Sequence, residues 1–295
     1  GGVMDPWSVG ATPLLYDGPS DPAVWPRLWQ EHRVTLFAAV PSLYRRILKY
    51  GDLARADLSA LRYGLTAGEA LAPDLLRTWR EATGKELYEA LGMSEISTYI
   101  SSGPATPVRP GSPGRPQPGR RIAILPVDED SITPLPAAET GLLAVSRADP
   151  GLMLGYWNRP EEERAVLRGP WFVGGDLAAL DADGYLIYHG RGDDIMNASG
   201  YRVSPLEVER CLLQHPAVSE AAVREIEVKA GVRVIAAYIV PVTGNPAGAP
   251  GKELAAEIQA HCAEHLAQYK QPREILFRES LPRTANGKVI KSQLA

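Results

Sequence analysis

The chain has 295 residues, of which 45% are hydrophobic and 22% charged, a balance typical of folded globular proteins and a length sufficient for two domains. Its 31 basic and 35 acidic side chains give a formal net charge of -4, which excludes a nucleic-acid partner held by bulk charge, and no apolar stretch approaches the roughly 18 residues of a membrane span. Two cysteines are too few for a secreted disulfide framework, so the sequence predicts a protein of the reducing cytoplasm.

The first hundred residues alternate between strand and helix patterns. Residues 34–40 form a short apolar run between two helical segments. A second apolar run at 61–67 is followed by a Gly68-Glu69 turn and by a helix predicted from about Pro73 to Thr83. This alternation predicts a parallel α/β sheet within residues 1–102, with ligands binding near the strand-to-helix turns.

From residue 103 the pattern changes to short apolar runs separated by turns. This spacing predicts a mainly β region that extends to residue 192 and forms a small antiparallel, β-barrel-like subdomain. The runs are residues 121–125, 141–146 and 185–188.

Residues 193–295 have the pattern of a compact α+β domain of roughly 100 residues. Its first helix is predicted to begin at Pro205, because Ser204 supplies an N-cap, proline fits the first turn and Glu207 completes a capping box. The boundary between the two predicted domains is placed between Gly192 and Asp193. The remaining elements are two strands, a helix, a strand and a short terminal helix, near residues 218–228, 232–242, 253–268, 275–278 and the carboxyl terminus.

The segment that joins the two predicted domains carries the strongest motif. Residues 190–207 read Gly-Arg-Gly-Asp-Asp-Ile-Met-Asn-Ala-Ser-Gly-Tyr-Arg-Val-Ser-Pro-Leu-Glu. This segment resembles the hinge of the adenylate-forming superfamily, which includes acyl-CoA synthetases, peptide-synthetase adenylation domains and luciferases. Segments at 88–95, 171–177 and 281–288 resemble further motifs of that superfamily in the same order. The resemblance implies the carboxyl-terminal part of a large α/β AMP-binding domain, followed by a small, mobile α+β lid domain.

Residues 88–95, Tyr-Glu-Ala-Leu-Gly-Met-Ser-Glu, resemble the superfamily's aromatic-Gly-x-Ser/Thr-Glu element. ATP is strongly negative, so a site that cleaves its α–β bond needs a carboxylate to hold Mg²⁺ and a hydroxyl near the α-phosphate. The resemblance implies that Glu95 is the magnesium ligand and Ser94 the phosphate contact. Taken alone, a Ser-Glu pair after a strand is more often a helix cap.

Residues 171–177, Trp-Phe-Val-Gly-Gly-Asp-Leu, resemble the Thr-Gly-Asp element whose aspartate binds the ribose hydroxyls. A carboxylate accepts two hydrogen bonds at once, as a vicinal diol requires. The resemblance therefore assigns Asp176 to the ribose, although Gly174 replaces the usual threonine.

Residues 281–288, Leu-Pro-Arg-Thr-Ala-Asn-Gly-Lys, are close to the superfamily's Pro-x-Thr-x-x-Gly-Lys element. A lysine is a compact charge on a flexible stem that can reach the substrate carboxylate and the α-phosphate as negative charge accumulates. The resemblance implies that Lys288 is the catalyst of adenylation.

Other positions are assigned by resemblance alone. Asp193 matches the hinge residue about which the lid domain turns. The nucleotide-binding positions are Gly68, Glu69, Ala70, Tyr188 and Arg191, and the coenzyme A positions are Ser199, Gly200 and Arg202.

The helix predicted near residues 253–268 also carries a possible metal-binding pattern. His261 and His265 lie one helical turn apart beside Cys262. Because no third ligand lies nearby in the sequence, ordinary helix side chains are the favoured interpretation.

The resemblance implies a carboxylic acid:CoA ligase that uses ATP and Mg²⁺, forms an acyl-adenylate and passes the acyl group to coenzyme A. The run at 35–44 looks nearest to benzoate-type and related aryl or acyl ligases, but Thr98 stands where benzoate ligases tend to have histidine. No segment resembles the superfamily's Gly-rich phosphate loop, so an amino-terminal part is expected to be missing and the fragment alone to be inactive. Two alternatives stay open: an adenylation protein that loads a carrier protein, and a non-catalytic module that binds AMP or CoA.

Overall fold

The computed structural model describes residues 4–19, 21–127, 131–198, 201–229, 232–242, 251–283 and 289–294. The amino-terminal elements are helices α1 (Met4–Ser8), α2 (Val24–Glu31), α3 (Pro41–Tyr50) and α4 (Pro73–Thr83), with strands β1 (Leu36–Ala39), β2 (Tyr63–Ala67), β3 (Glu86–Met93), β4 (Ser97–Ser101) and β5 (Arg115–Pro116). These five strands form one sheet in the order β1-β2-β3-β4-β5. The first three run parallel, as the alternation of strand and helix predicts, whereas β4 and β5 pair antiparallel.

Aromatic side chains bury one face of the sheet beneath α2, α3 and α4. Trp29, Tyr44 and Trp79 are fully or almost fully buried, and Trp79 contacts both of the others edge to face. The Tyr44 hydroxyl lies 2.8 Å from the Phe37 carbonyl oxygen, and burial raises the pKa of this tyrosine. Gly64 faces that hydroxyl, and a Cβ atom there would lie only 2.7 Å from it. The close packing therefore requires glycine at this strand position.

Apolar side chains on β1 and β2 remain exposed. Leu36 is 41% exposed and Leu65 is 36% exposed. Phe37, whose side chain lies on the helix-covered face of the sheet, is buried. Because strand side chains alternate between the two faces, these leucines mark the face opposite the helices.

The mainly β region forms a second sheet, in the order β10-β9-β7-β6. Its strands are β6 (Ile122–Leu125), β7 (Gly141–Ser146), β9 (Trp171–Leu180) and β10 (Leu186–Arg191), and β8 (Leu167–Arg168) pairs with β9 after the short helix α5 (Pro160–Ala165). The three predicted apolar runs thus all lie in or directly beside strands. Between β9 and β10 the chain turns at Asp181 and Asp183, which both pair with Arg109.

The carboxyl-terminal elements are β11 (Met196–Ala198), β12 (Tyr201–Val203), α6 (Pro205–Leu213), β13 (Val218–Lys229), β14 (Val232–Pro241), α7 (Lys252–His265) and β15 (Glu274–Phe277). Strand β14 pairs antiparallel with β13 and parallel with β15. Side chains of α6 and α7, including Val208, Leu212 and Ile258, pack on this sheet in one core. The predicted order of elements is confirmed, except that the terminal helix is a single 3-10 turn, Lys291–Gln293.

The predicted capping box at α6 is wrong, although the helix begins at Pro205 as expected. Ser204 occupies the N-cap position without a side-chain cap, and its hydroxyl instead donates to the His189 carbonyl oxygen at 2.5 Å. The Glu207 carboxylate pairs with Lys270 at 2.6 Å. Tertiary partners have replaced the local hydrogen bonds that the sequence pattern offers.

The chain forms two compact units. The first comprises Gly1–Glu139, Ala144–Val173 and Leu180–Ile187, and the second comprises Thr140–Leu143, Gly174–Ala179 and Tyr188–Ala295. The predicted division between Gly192 and Asp193 stays a prediction.

Both cysteines are free and buried in the second unit. Burial raises the pKa of Cys211 and raises the pKa of Cys262 to about 12. Both side chains are therefore thiols rather than thiolates at neutral pH.

Among the described residues, no helix combines the length and the apolar character that crossing a membrane requires.

Candidate active site

The carboxyl ends of three parallel strands meet at one edge of the first sheet. The segments that follow β1, β2 and β3 therefore lie along the same edge, where open α/β sheets bind ligands. Four residues on these segments form what we call the carboxyl-edge cluster: Ser42, Glu69, Ser94 and Glu95.

Glu69 lies in the turn after β2. Gly68 precedes it with φ 92°, a left-handed conformation that strains any other residue. One oxygen of the Glu69 carboxylate accepts the Ser42 backbone N–H at 3.3 Å, at the start of α3. A carboxylate is stabilised at a helix amino terminus, so this contact ties the turn after β2 to the turn after β1.

Glu89, inside β3, also forms a hydrogen bond with the segment that contains this turn. Its carboxylate accepts the Leu71 backbone N–H at 3.0 Å. The Gly68-Glu69-Ala70 turn is thus held at both ends by carboxylates, which fixes the backbone at a position assigned to the nucleotide.

Glu95 lies in the turn between β3 and β4, directly after Ser94. The Tyr156 hydroxyl donates to Oε1 of Glu95 at 2.8 Å, and the Met153 backbone N–H donates to its carbonyl oxygen at 2.6 Å. In the described part of the chain, these contacts leave the second carboxylate oxygen of Glu95 with no recorded partner. A half-buried carboxylate with one oxygen held and one open fits an oxygen ligand for Mg²⁺.

A second cluster lies on β9 and β10, within the second unit, and we call Asp176, Tyr188 and Arg191 the β9–β10 cluster. Asp176 is only 7% exposed, and its Oδ1 accepts the Tyr188 hydroxyl at 2.8 Å. Arg191 donates to the carbonyl oxygen of Gly174 at 3.2 Å. A buried carboxylate requires such hydrogen bonds, and a carboxylate is also the group that can accept from both hydroxyls of a ribose.

The structure thus brings together three residues that the sequence assigned to the nucleotide separately, because β9 and β10 are neighbours in the sheet. Beside these residues, Gly192 allows two backbone segments to approach each other closely. A Cβ atom on Gly192 would lie 3.2 Å from the Gly175 carbonyl oxygen.

Lys288, Ser199 and Gly200 lie outside the described residues, so their roles stay predictions. Only the backbone is described at the two remaining positions. Asp193 lies in the 3-10 turn Gly192–Asp194, and Arg202 lies in β12 opposite Asn197.

Sequence reasoning missed Ser42, which is a member of the carboxyl-edge cluster. It also missed Glu89 and Tyr156, which hydrogen-bond to the segments that carry the cluster. Glu89 lies within a recognised motif, but no role was assigned to it. Tyr156 is 61 positions from Glu95 and lies in a turn-rich loop, so no local spacing links the two.

Comparison with known proteins gives these clusters a context. The sequence model of the AMP-binding enzyme family matches residues 1–157, and that of the AMP-binding enzyme C-terminal domain matches residues 207–288. The chain is 37% identical over 294 residues to the benzoate–CoA ligase of Thauera aromatica, covering 99% of this chain and 54% of that protein. It is 34% identical over 297 residues to the acetyl-coenzyme A synthetase of Bacillus subtilis, covering 99% and 51%.

Solved structures give the same result. An anthranilate CoA ligase in complex with anthranoyl-AMP matches with a TM-score of 0.87 at 35% identity, covering 98% of this chain and 55% of that one. A benzoate CoA ligase from Burkholderia xenovorans matches with a TM-score of 0.85 at 35% identity, covering 98% and 56%. The chain therefore spans about half the length of the relatives that it matches.

Proposed function

Because the chain belongs to the AMP-binding enzyme family and, within it, to the acyl-CoA synthetase type, we propose that the complete protein activates a small carboxylic acid with ATP and transfers it to coenzyme A. In the first step a carboxylate oxygen attacks the α-phosphorus of ATP, the bond to the β-phosphate breaks and pyrophosphate leaves. In the second step the sulfur of coenzyme A attacks the acyl carbon and loses its proton, and AMP leaves with the electron pair of the broken carbon–oxygen bond.

The β9–β10 cluster is the observation that carries this proposal. The buried Asp176 carboxylate, oriented by the Tyr188 hydroxyl, would accept the two ribose hydroxyls. Arg191 places a cation beside the same strands and would contact the nucleotide. An aspartate held in this way is prepared for a diol before the nucleotide arrives, which lowers the cost of ordering the site on binding.

The carboxyl-edge cluster would serve the phosphates. Glu95 has the chemistry of a magnesium ligand, and a bound Mg²⁺ supplies charge neutralisation at the phosphate oxygens. Ser94, exposed at the same turn, would donate its hydroxyl to the α-phosphate. Tyr156 keeps the Glu95 carboxylate in one orientation.

The remaining roles concern the lid domain. Lys288 would stabilise the negative charge that accumulates during adenylation. Asp193 would act as the hinge between the adenylating and thioester-forming states, and Ser199, Gly200 and Arg202 would contact coenzyme A. The substrate class is a small aryl or acyl acid, as the names of the relatives support, while Thr98 argues against benzoate itself.

The proposal is tested with the complete protein and a panel of aromatic and aliphatic acids. We expect acid-dependent pyrophosphate release, followed by acyl-CoA formation when coenzyme A is added. Pyrophosphate release with no thioester on free coenzyme A, but transfer to a carrier protein's pantetheine, would replace the ligase assignment by carrier loading. Binding of AMP without pyrophosphate release from any acid would leave only a binding module.

Tyr156→Phe tests the support of Glu95. Removing the hydroxyl frees the carboxylate to rotate, so we expect the apparent affinity for Mg²⁺ in adenylation to fall by about 10-fold, with KM for the acid unchanged. Magnesium titrations of pyrophosphate release measure this. Tyr185→Phe is the matched control, because that hydroxyl donates to the Pro107 carbonyl oxygen and not to the carboxyl-edge cluster. Equal magnesium dependence in both variants would remove Tyr156 from the site.

Asp193→Pro tests the hinge. Proline fixes φ near -65°, a value that suits the 3-10 turn at Gly192–Asp194 but restricts a residue whose backbone must take two conformations. We expect one half-reaction, thioester formation, to slow by at least about 10-fold while adenylation is largely retained. Single-turnover assays of each half-reaction measure the two rates. Normal thioester formation would place the hinge elsewhere.

A further inference from the structure

Two helices of the second unit end beside a group of sulfur and imidazole side chains. Cys211 lies in the last turn of α6, and His261 and His265 lie in the last two turns of α7. Within the described residues, one ligand atom from each of these three side chains lies within 4.8 Å of the other two. We call Cys211, His261 and His265 the Cys–His cluster.

The structure supplies the third ligand that the sequence lacked. Cys211 is 50 positions from His261 and enters the group because α6 and α7 pack against each other. Cys262, the cysteine next to His261 in the sequence, points into the core and is fully buried.

Hydrogen bonds determine which ring nitrogens of the cluster are available. His261 Nε2 lies 3.0 Å from the Cys211 carbonyl oxygen, and His265 Nδ1 lies 2.8 Å from the His261 carbonyl oxygen. A carbonyl oxygen can only accept, so each of these nitrogens carries the hydrogen. The lone pair is therefore on Nδ1 of His261 and on Nε2 of His265.

This arrangement is the one that metal-binding histidines use. A ligating imidazole donates its second ring N–H to a carbonyl or carboxylate oxygen, which fixes the tautomer and the ring orientation. Both histidines of the cluster already make such a bond to a backbone carbonyl. The carboxyl ends of α6 and α7 add the negative ends of two helix dipoles, which favour a cation.

We propose that the Cys–His cluster binds one zinc-class divalent ion through Cys211 Sγ, His261 Nδ1 and His265 Nε2. On binding the ion, the Cys211 thiol would release its proton to water. The resulting thiolate with two imidazoles is a donor set that suits Zn²⁺, with a fourth position for water or a further side chain. His215, whose ring lies 5.4 Å from that of His261, is one described candidate for it.

The geometry requires only a small adjustment. Ligand distances of about 2.0–2.3 Å around a tetrahedral ion place the ligand atoms about 3.5 Å apart. One ligand atom from each side chain already lies within 4.8 Å of the other two, so movements of about 1 Å would bring the three side chains to that spacing. The ion would join the ends of α6 and α7.

The test uses the purified full chain, stripped with a chelator and titrated with Zn²⁺ by calorimetry and with Co²⁺ by absorption spectroscopy. We expect one Zn²⁺ per chain, and a thiolate-to-cobalt charge-transfer band that reports the cysteine ligand. His265→Ala should weaken zinc binding by at least about 10-fold. Because His265 is exposed, this variant tests the site without disturbing the core.

His32→Ala is the matched control, since His32 is exposed in the first unit and should leave binding unchanged. Cys211→Ser should abolish the charge-transfer band, and if that variant does not fold, the cobalt spectrum of the unmodified chain decides the cysteine's role. Absence of saturable zinc binding, a cobalt spectrum without the thiolate band, or equal zinc affinity in the His265→Ala and unmodified chains would each overturn the proposal. None of these outcomes depends on ligase activity.

Discussion

Lys288→Ala in the complete protein should lower the rate of adenylate formation by about 10²- to 10³-fold, because one preorganised charge no longer meets the transition state. Conversion of a supplied acyl-adenylate to thioester should change little. Under the proposed hinge motion, Lys288 would reach the α-phosphate in only one orientation of the lid domain, the one that serves adenylation.

Pre-steady-state measurements of the two half-reactions separate these effects. Lys229→Ala is the control, because Lys229 is exposed at the end of β13 and carries no proposed role. Losses of similar size in both half-reactions would mean that Lys288 stabilises the fold or binds the nucleotide in both states, and the assignment to adenylation would be wrong.

Asp176→Asn should reduce kcat/KM for ATP by about 10²-fold. A hydrogen bond to a charged group contributes about 1.5–3 kcal/mol, and each 1.4 kcal/mol is a factor of ten. Asparagine keeps the shape of the side chain and an oxygen that can still accept the Tyr188 hydroxyl. The change therefore removes the charge and one acceptor oxygen while leaving the packing of β9 and β10 intact.

Tyr188→Phe provides the comparison. It leaves the carboxylate in place and removes only the hydroxyl that orients it, so we expect a smaller loss, of about 10-fold or less. Both variants should unfold at temperatures close to that of the unmodified protein, as measured by calorimetry. If Asp176→Asn retained full affinity for ATP, the β9–β10 cluster would be a structural element rather than a ribose site.

Several elements could be predicted from local sequence alone. Helix α4 begins at Pro73 and ends at Thr83, as predicted. Proline suits the first turn, and Gly84 adopts φ 67° after the last turn, where its N–H donates to the Arg80 carbonyl oxygen. Both signals lie within a few residues of the helix end that they define, so no distant contact is needed to interpret them.

Local reasoning failed where a distant partner competed with a near one. At α6 the sequence correctly placed the helix start, but Ser204 bonds to His189 and Glu207 bonds to Lys270 instead of capping the helix. The hydrogen-bond partner of a hydroxyl or a carboxylate depends on which groups lie near it in the folded chain. The sequence pattern identifies only the neighbouring backbone N–H groups as partners.

The sequence by itself determined the family of this protein and the residues of its motifs, because each motif is a short run whose spacing requires no knowledge of the chain path. The tertiary structure decided which of those residues meet. It placed Tyr156 on Glu95 across 61 positions, joined Asp176 to Tyr188 on neighbouring strands, and brought Cys211 to His261 across 50 positions. These contacts depend on the pairing of strands and the packing of helices, and side chains far apart along the chain become partners only when that packing is complete.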